Sequence, residues 1–281
     1  MSSHHNSLRW RSGVNLVVIA AALVAITVIT NAYSFNLMLR NFRQSLSSTA
    51  LIYTEQISGK VDKINSGSLE LVSLAASSQN YYTSSPLGRY LTQQDILTRL
   101  QDRIRYVESS DLYFFYRTDS DELLTALSNR ASTGSSYFWN HYLMLPPTQP
   151  ANTWCSVTCN GETWLMGYYN VSQVRVGAAV RAKTLLQSLY ADTGLVQDSG
   201  FALAGLDGTI VYSSQPDLMA CGTSLAGHIP ASLIVESHTV PEVGTMLLFR
   251  PSSDLLHQLS GSFGWLLLLN LLALDLITSL L

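Results

Sequence analysis

From Val14 to about Gln79 the sequence contains no proline and reads as one continuous helix. It opens with an uncharged apolar run, Val14 to Ala32. About 19 residues at ~1.5 Å each match the ~30 Å hydrocarbon core of a bilayer. A polar but heptad-patterned segment follows without a break. Phe35, Leu39, Phe42, Leu46, Tyr53, Ile57, Val61, Ile64, Leu71 and Ala75 recur at intervals of three and four, or sums of these. That spacing puts them on one helical seam, which another apolar surface must cover. The ~45 residues beyond the apolar run would reach on the order of 65 Å. The expectation is a membrane anchor that continues outward as a helix and holds a folded region. Gly59 and Gly67 are its weak points, each costing about 1 kcal/mol against alanine.

Arg9 and Arg11 precede the apolar run and favour a cytoplasmic N-terminus, with Arg40 and Arg43 opposing them on the far side. A cleaved signal peptide is the rival reading. It wants a shorter apolar core of ~7–15 residues and a small-residue cleavage site, and an uncleaved anchor fits better. A second apolar run, Phe263 to Leu281, is also long enough to span. Asn270 and Asp275 interrupt it. An aspartate at a bilayer centre costs about 3 kcal/mol, so Asp275 is expected near an interface or in a marginal helix. Two spans would leave residues 33–262 outside the cytoplasm, enough for a full domain or a pair.

Only 12% of residues are charged and the net charge is −3, with no basic patch to suggest nucleic acid. Catalytic signatures are absent: there is no Gly-Lys-Ser/Thr phosphate loop, no Gly-x-Ser-x-Gly elbow and no His-Glu-x-x-His. A non-enzymatic chain without a cofactor is expected. His228, His238 and His257 are too scattered to propose a metal. The three cysteines, Cys155, Cys159 and Cys221, cannot all pair within one chain. Cys155 and Cys159 on one straight strand would lie ~13 Å apart, too far to bridge. A bond from either to Cys221, or unpaired thiols, remain.

After a turn-rich break at 80–86, Thr92 to Ser110 reads as a helix capped by Thr92. The period then changes to two. Asp111 to Thr118 and Glu122 to Ser128 form a hairpin across Asp119-Ser120-Asp121. An aromatic stretch, Tyr137 to Leu145, ends in prolines. Asn160-Gly161 between Thr153–Cys159 and Glu162–Ser172 is a strong hairpin signal. A strand at Arg175–Arg181 leads into a helix at Ala182–Tyr190. The pattern recurs with strands at Gly200–Leu206 and Thr209–Ser214 about an Asp207-Gly208 turn, then Leu233–Val240 and Gly244–Arg250. Helix 254–262 would lead to the second span.

In this order of elements the chain resembles a bacterial extracytoplasmic Cache sensor module of the double-Cache type, as found in membrane sensor histidine kinases and chemoreceptors. The matching segments are Arg175-Val-Gly-Ala-Ala-Val, a helix, then Gly200 to Ser214 with its Asp207-Gly208 turn, and the closing strand Gly244 to Pro251. The resemblance implies an α+β chain: a long N-terminal helix with one or two PAS-like antiparallel sheets, flanked by two transmembrane helices. The boundaries implied are a cytoplasmic segment 1–13, a span at 14–32, the long helix 33–79, a membrane-distal subdomain 80–181, a membrane-proximal one 182–258 and a span at 263–281. It also implies a homodimer, or pairing with a membrane signalling protein. The output regions that usually follow are not visible before Leu281. The chain is therefore expected to be part of a longer receptor, or a sensor that works through a partner.

Amino-acid-binding members carry a Tyr-x-x-Arg run. Tyr137-Phe138-Trp139-Asn140 lies in a comparable place with asparagine instead of arginine, which argues against recognition of an amino-acid carboxylate. The candidate ligand-binding residues are Tyr116, Arg117, Trp139, Trp154 and Trp164, because aromatic walls with a few polar groups form small-ligand pockets. The same residues would also make an ordinary sheet core. The competing functional reading is an anchored extracytoplasmic scaffold with no small ligand.

Overall fold

The heptad seam becomes a buried stripe in the first helix, α1 (Ser3–Ser77). Leu46, Ala50, Tyr53, Ile57, Val61, Ile64 and Leu71 are each at most 5% exposed. Each such side chain contributes roughly 1.5–3 kcal/mol when buried. In the computed structural model the described residues are 3–77, 85–107, 110–128, 153–159, 161–191, 199–226, 229–253, 272 and 275. Nearer the N-terminus the same helix exposes Val17, Val18, Ile19, Val24, Ile26, Val28 and Ile29. Among the described residues α1 is the one helix long and apolar enough to cross a membrane, by length and composition. The second expected span, Phe263–Leu281, lies outside the described residues except for Leu272 and Asp275.

The chain falls into two compact units. One comprises Ser47–Pro230 with Val235–Phe249, and the other Met1–Leu46 with Ala231–Ile234 and Arg250–Leu281. In the latter the Arg250 guanidinium lies 5.4 Å from the centre of the Phe42 ring.

The elements after α1 are α2 (Pro86–Tyr106), β1 (Leu112–Arg117), β2 (Glu122–Leu127), β3 (Cys155–Cys159), β4 (Glu162–Val171), β5 (Val174–Arg181), α3 (Ala182–Ala191), β6 (Gly200–Gly205), β7 (Ile210–Ser213), β8 (Leu233–Val240) and β9 (Gly244–Pro251). They make two antiparallel sheets, of order β2-β1-β5-β4-β3 and β7-β6-β9-β8. The α+β architecture with a long N-terminal helix thus agrees with the expectation. The aromatic stretch 137–145, Trp139 included, and helix 254–262 lie outside the described residues.

The second helix starts earlier than its sequence suggested. Pro86 fills the first turn and the Ser85 hydroxyl accepts the Gly88 N–H at 3.2 Å, so Ser85 is the cap. Thr92 instead donates its hydroxyl to the Gly88 carbonyl one turn back. The two predicted tight turns form as expected. Cys159 pairs with Glu162, and Gly161, just before β4, has φ +77°; Asn160 lies outside the described residues. At the other turn Gly208 has φ +76°. There the Asp207 carboxylate accepts the Thr209 N–H at 3.0 Å and its hydroxyl at 2.8 Å. These hydrogen bonds hold the Asp207 carboxyl below the usual carboxylate range.

Four contacts fasten the sheets of the larger unit to α1. The Tyr113 hydroxyl donates to the Ile64 carbonyl at 3.3 Å. Trp154 Nε1 donates to Asn65 Oδ1 at 3.2 Å, and Asn65 Nδ2 donates to Glu242 Oε2 at 2.7 Å. Ser47 Oγ lies 3.3 Å from His238 Nε2 on β8. Gly67 is not a weak point. A Cβ there would lie 2.5 Å from Tyr113 Oη, so the missing side chain is what lets β1 reach the helix. Gly59, in contrast, has nothing within 4 Å of that position.

These two glycines should therefore respond oppositely in chemical denaturation. Gly59→Ala should raise stability by about 1 kcal/mol, and Gly67→Ala should lower it by about 1–3 kcal/mol through overpacking. A stabilising Gly67→Ala would disprove the close-approach role. For the second turn, the folded pKa of Asp207 is depressed. Its charge-dependent contribution is present above the unfolded value of ~3.9 and is lost as pH falls through the folded one. The wild-type advantage over Asp207→Asn in melting temperature should accordingly exist at neutral pH and vanish in acid.

Candidate functional site

Alternation along β1 splits its side chains between two faces. Strand pairing then extends each face across the sheet. Tyr116 stands opposite Arg175, and Leu112 opposite Ala179. Trp164 stands opposite Arg181, and Tyr168 opposite Gly177. One face therefore gathers Leu112, Phe114, Tyr116, Trp164, Met166, Tyr168 and Ala179 into a single apolar cluster, with Leu123, Cys155 and Val157 packed on it. The opposite face carries Tyr113, whose hydroxyl reaches α1.

Of the expected ligand residues, the fold brings Tyr116 and Trp164 together on the aromatic face. Arg117 falls on the α1 side by alternation. It is 5% exposed and its Nη2 lies 3.1 Å from Asp119 Oδ2, an ion pair local to the β1–β2 hairpin. Trp154 also lies on the α1 side, packed over Gly167, where a Cβ would come within 2.8 Å of the indole. Trp139 lies outside the described residues.

The structure adds two cations that sequence reading passed over. The Arg175 guanidinium carbon sits 5.9 Å from the centre of the Tyr116 ring and 6.0 Å from that of Tyr168. The Arg181 guanidinium lies 5.7 Å from the Trp164 ring. All three distances fall within the range of cation–π attraction. The only signal available in the sequence was that Arg175 and Arg181 bracket the apolar run of β5 at positions of equal parity. Their partners depend on strand register.

Arg181 is fixed from below by Asp111, which is fully buried. Asp111 Oδ2 accepts the Arg181 backbone N–H at 2.8 Å, and Oδ1 accepts Nη2 at 3.0 Å. The hydrogen bond to Asp111 is the main reason the Arg181 pKa is raised. Burial pushes the Tyr116 and Tyr168 hydroxyls above their ordinary pKa. Both are therefore neutral near pH 7; Tyr116 donates to Asp121 Oδ1 at 2.8 Å. Burial likewise raises the Cys155 thiol. Cys155 and Cys221 are both free thiols, so neither of the disulfides to Cys221 left open by the sequence is formed. No group of three His, Cys, Asp or Glu side chains is placed to hold a metal among the described residues. Chemically, the face combines stacking surface, neutral hydroxyls and fixed positive charge.

Removing Asp111 would leave a partly buried guanidinium without its main acceptor. Asp111→Ala should cost about 3 kcal/mol, near the low end for a broken buried pair because the Arg181 side chain is 19% exposed. Denaturant titration measures this; a loss under 1 kcal/mol would make the pair incidental.

No protein-family model and no curated protein matches this sequence. The structure is similar to the periplasmic sensory domain of the Campylobacter jejuni chemoreceptor Tlp1, with a TM-score of 0.52 and 11% identity, covering 76% of this chain and 96% of that one. A methyl-accepting chemotaxis protein X matches with a TM-score of 0.49 and 8% identity, over 75% of this chain and 97% of that one. The Vibrio cholerae LuxQ periplasmic domain matches with a TM-score of 0.40 and 12% identity, over 74% and 98%. The chain thus shares the fold of a bacterial periplasmic sensory domain, in line with its Cache resemblance.

Proposed function

We propose that the chain is a membrane-anchored extracytoplasmic sensor whose five-stranded sheet binds a small molecule on its aromatic face. The observation that carries this reading is the joint placement of Tyr116, Tyr168 and Trp164 with Arg175 and Arg181 on the face turned away from α1. Ring faces would stack on the flat or apolar part of a ligand. The guanidinium of Arg175 and the Tyr168 hydroxyl would supply donors, while Tyr116, whose O–H goes to Asp121, would offer its ring face. The side chains proposed for binding are therefore Tyr116, Trp164, Tyr168 and Arg175, with Arg181 and Asp111 as support; Arg117 and Trp154 are assigned to packing.

Anchoring rests on the exposed apolar stretch of α1 from Val17 to Ile29. A ligand would act by favouring one of two arrangements of the elements that meet α1, and only to the extent of its differential affinity for them. No chemical step is needed, and the proposal is a receptor and not an enzyme. The complete burial of Leu112, Phe114 and Ala179 favours the alternative, a scaffold whose aromatic face is ordinary core.

A thermal-shift screen of the full chain in detergent, against amino acids, small carboxylates, polyamines, purines and sugars, separates the two. A ligand at 100 times its dissociation constant should add about 2.7 kcal/mol of stability. The sensor reading expects a hit that Arg175→Ala and Trp164→Ala abolish. Folded protein with no hit, or a hit indifferent to both substitutions, would transfer the assignment to the scaffold.

A further inference from the structure

A concavity borders the aromatic face at Arg181. It is a cavity of about 770 Å³ between the β4 start and β5–α3 junction on one side and β7 on the other, with Glu162, Arg181, Lys183, Thr184, Ser213 and Cys221 in its lining. That volume falls in the ~300–1,000 Å³ range of small-molecule sites. Its described lining differs from the aromatic face in residue type: seven of the ten residues carry a hydroxyl or a charge, set among apolar surface that includes Val211.

The charge balance is uneven. Arg181 is shared between Asp111 at 3.0 Å and Glu162 at 3.8 Å. Lys183 has no ion-pair partner among the described residues. The described lining residues thus hold two cations, Arg181 and Lys183, against one acid, Glu162. Ser213 Oγ accepts the Gln215 N–H at 3.2 Å, which leaves its own O–H to donate, and Thr184 is a further hydroxyl residue of the lining. A lysine and hydroxyl donors in one lining suit an oxyanion, because each can give a charge-assisted or neutral hydrogen bond to negative oxygens.

We propose that this inter-sheet cavity is a second binding site, for a small hydrophilic molecule bearing a carboxylate or phosphate, with Lys183 as its principal cation. The site is independent of the ligand proposed for the aromatic face, although Arg181 touches both. An occupant would tie the end of β5 to β7 and so join the two sheets.

Cys221 supplies a local reporter, since it is exposed and lines the cavity. The test uses the full chain in detergent and follows maleimide labelling of Cys221 by mass spectrometry of the peptide that carries it. Sodium phosphate and sodium citrate are the probes, with sodium chloride at equal ionic strength as control. At about ten times the dissociation constant, labelling should slow about tenfold. Protection by phosphate alone or by citrate alone identifies which oxyanion source the site prefers. Lys183→Gln, at an exposed position, should abolish protection while Arg175→Ala preserves it. Protection no greater than chloride gives, protection that survives Lys183→Gln, or protection lost in Arg175→Ala would each overturn the site.

Discussion

The seam of α1 between Ala50 and Leu71 buries apolar side chains that a lone helix leaves in water, and both sheets of the larger unit are fastened to it. The strands meet the helix through polar contacts set within that apolar surface. Asn65 accepts from Trp154 beside β3 and donates to Glu242 in the β8–β9 turn. The Trp154 backbone N–H in turn donates to the Glu242 carbonyl at 2.9 Å. One asparagine therefore joins the helix to elements of both sheets. Lys60 adds a further tie by donating to the Leu185 carbonyl of α3 at 2.7 Å, and its burial lowers its pKa. Since hydrogen bonds are directional and short-ranged, these contacts fix position along the seam more strictly than apolar packing alone.

Covering α1 uses up one face of the five-stranded sheet. Tyr113 goes to the helix, and Gly67 makes the space for it. What is left is the other face, where alternation collects the remaining aromatics. Gly177 keeps that face flat: a Cβ there would meet the Gly167 carbonyl and come within 2.7 Å of Tyr168 Cβ and 2.8 Å of Phe114 Cζ. The glycine lets Tyr168 and Phe114 close together across β5. The proposed ligand face is in this sense a consequence of how the sheet is attached to the helix.

Arg181 has a special place in this arrangement. It ends β5, lies over Trp164 on the aromatic face, is held by buried Asp111 at the start of β1, and borders the cavity toward β7. On the proposed reading, changes at either proposed site converge on this side chain and on α3, which follows it directly. That gives a physical route from a bound molecule to the elements fastened on α1, through a network with discrete hydrogen-bonded partners.

The sequence by itself determined the local elements. The three-and-four spacing of α1, the alternation of β1, and the Asn160-Gly161 and Asp207-Gly208 turns each follow from short-range sterics and periodicity, and each appears where expected. It also placed Tyr113 and Phe115 on one face of β1, and Leu112, Phe114 and Tyr116 on the other, without saying which face met the helix. Only the tertiary structure decided that. Strand register, a long-range property, set Arg175 against Tyr116 and Arg181 against Trp164, and the contact with α1 decided that Arg117 and Trp154 lie on the packing side. It also turned Gly67 from a helical weakness into a point of contact, because the cost of a missing side chain depends on what occupies its space.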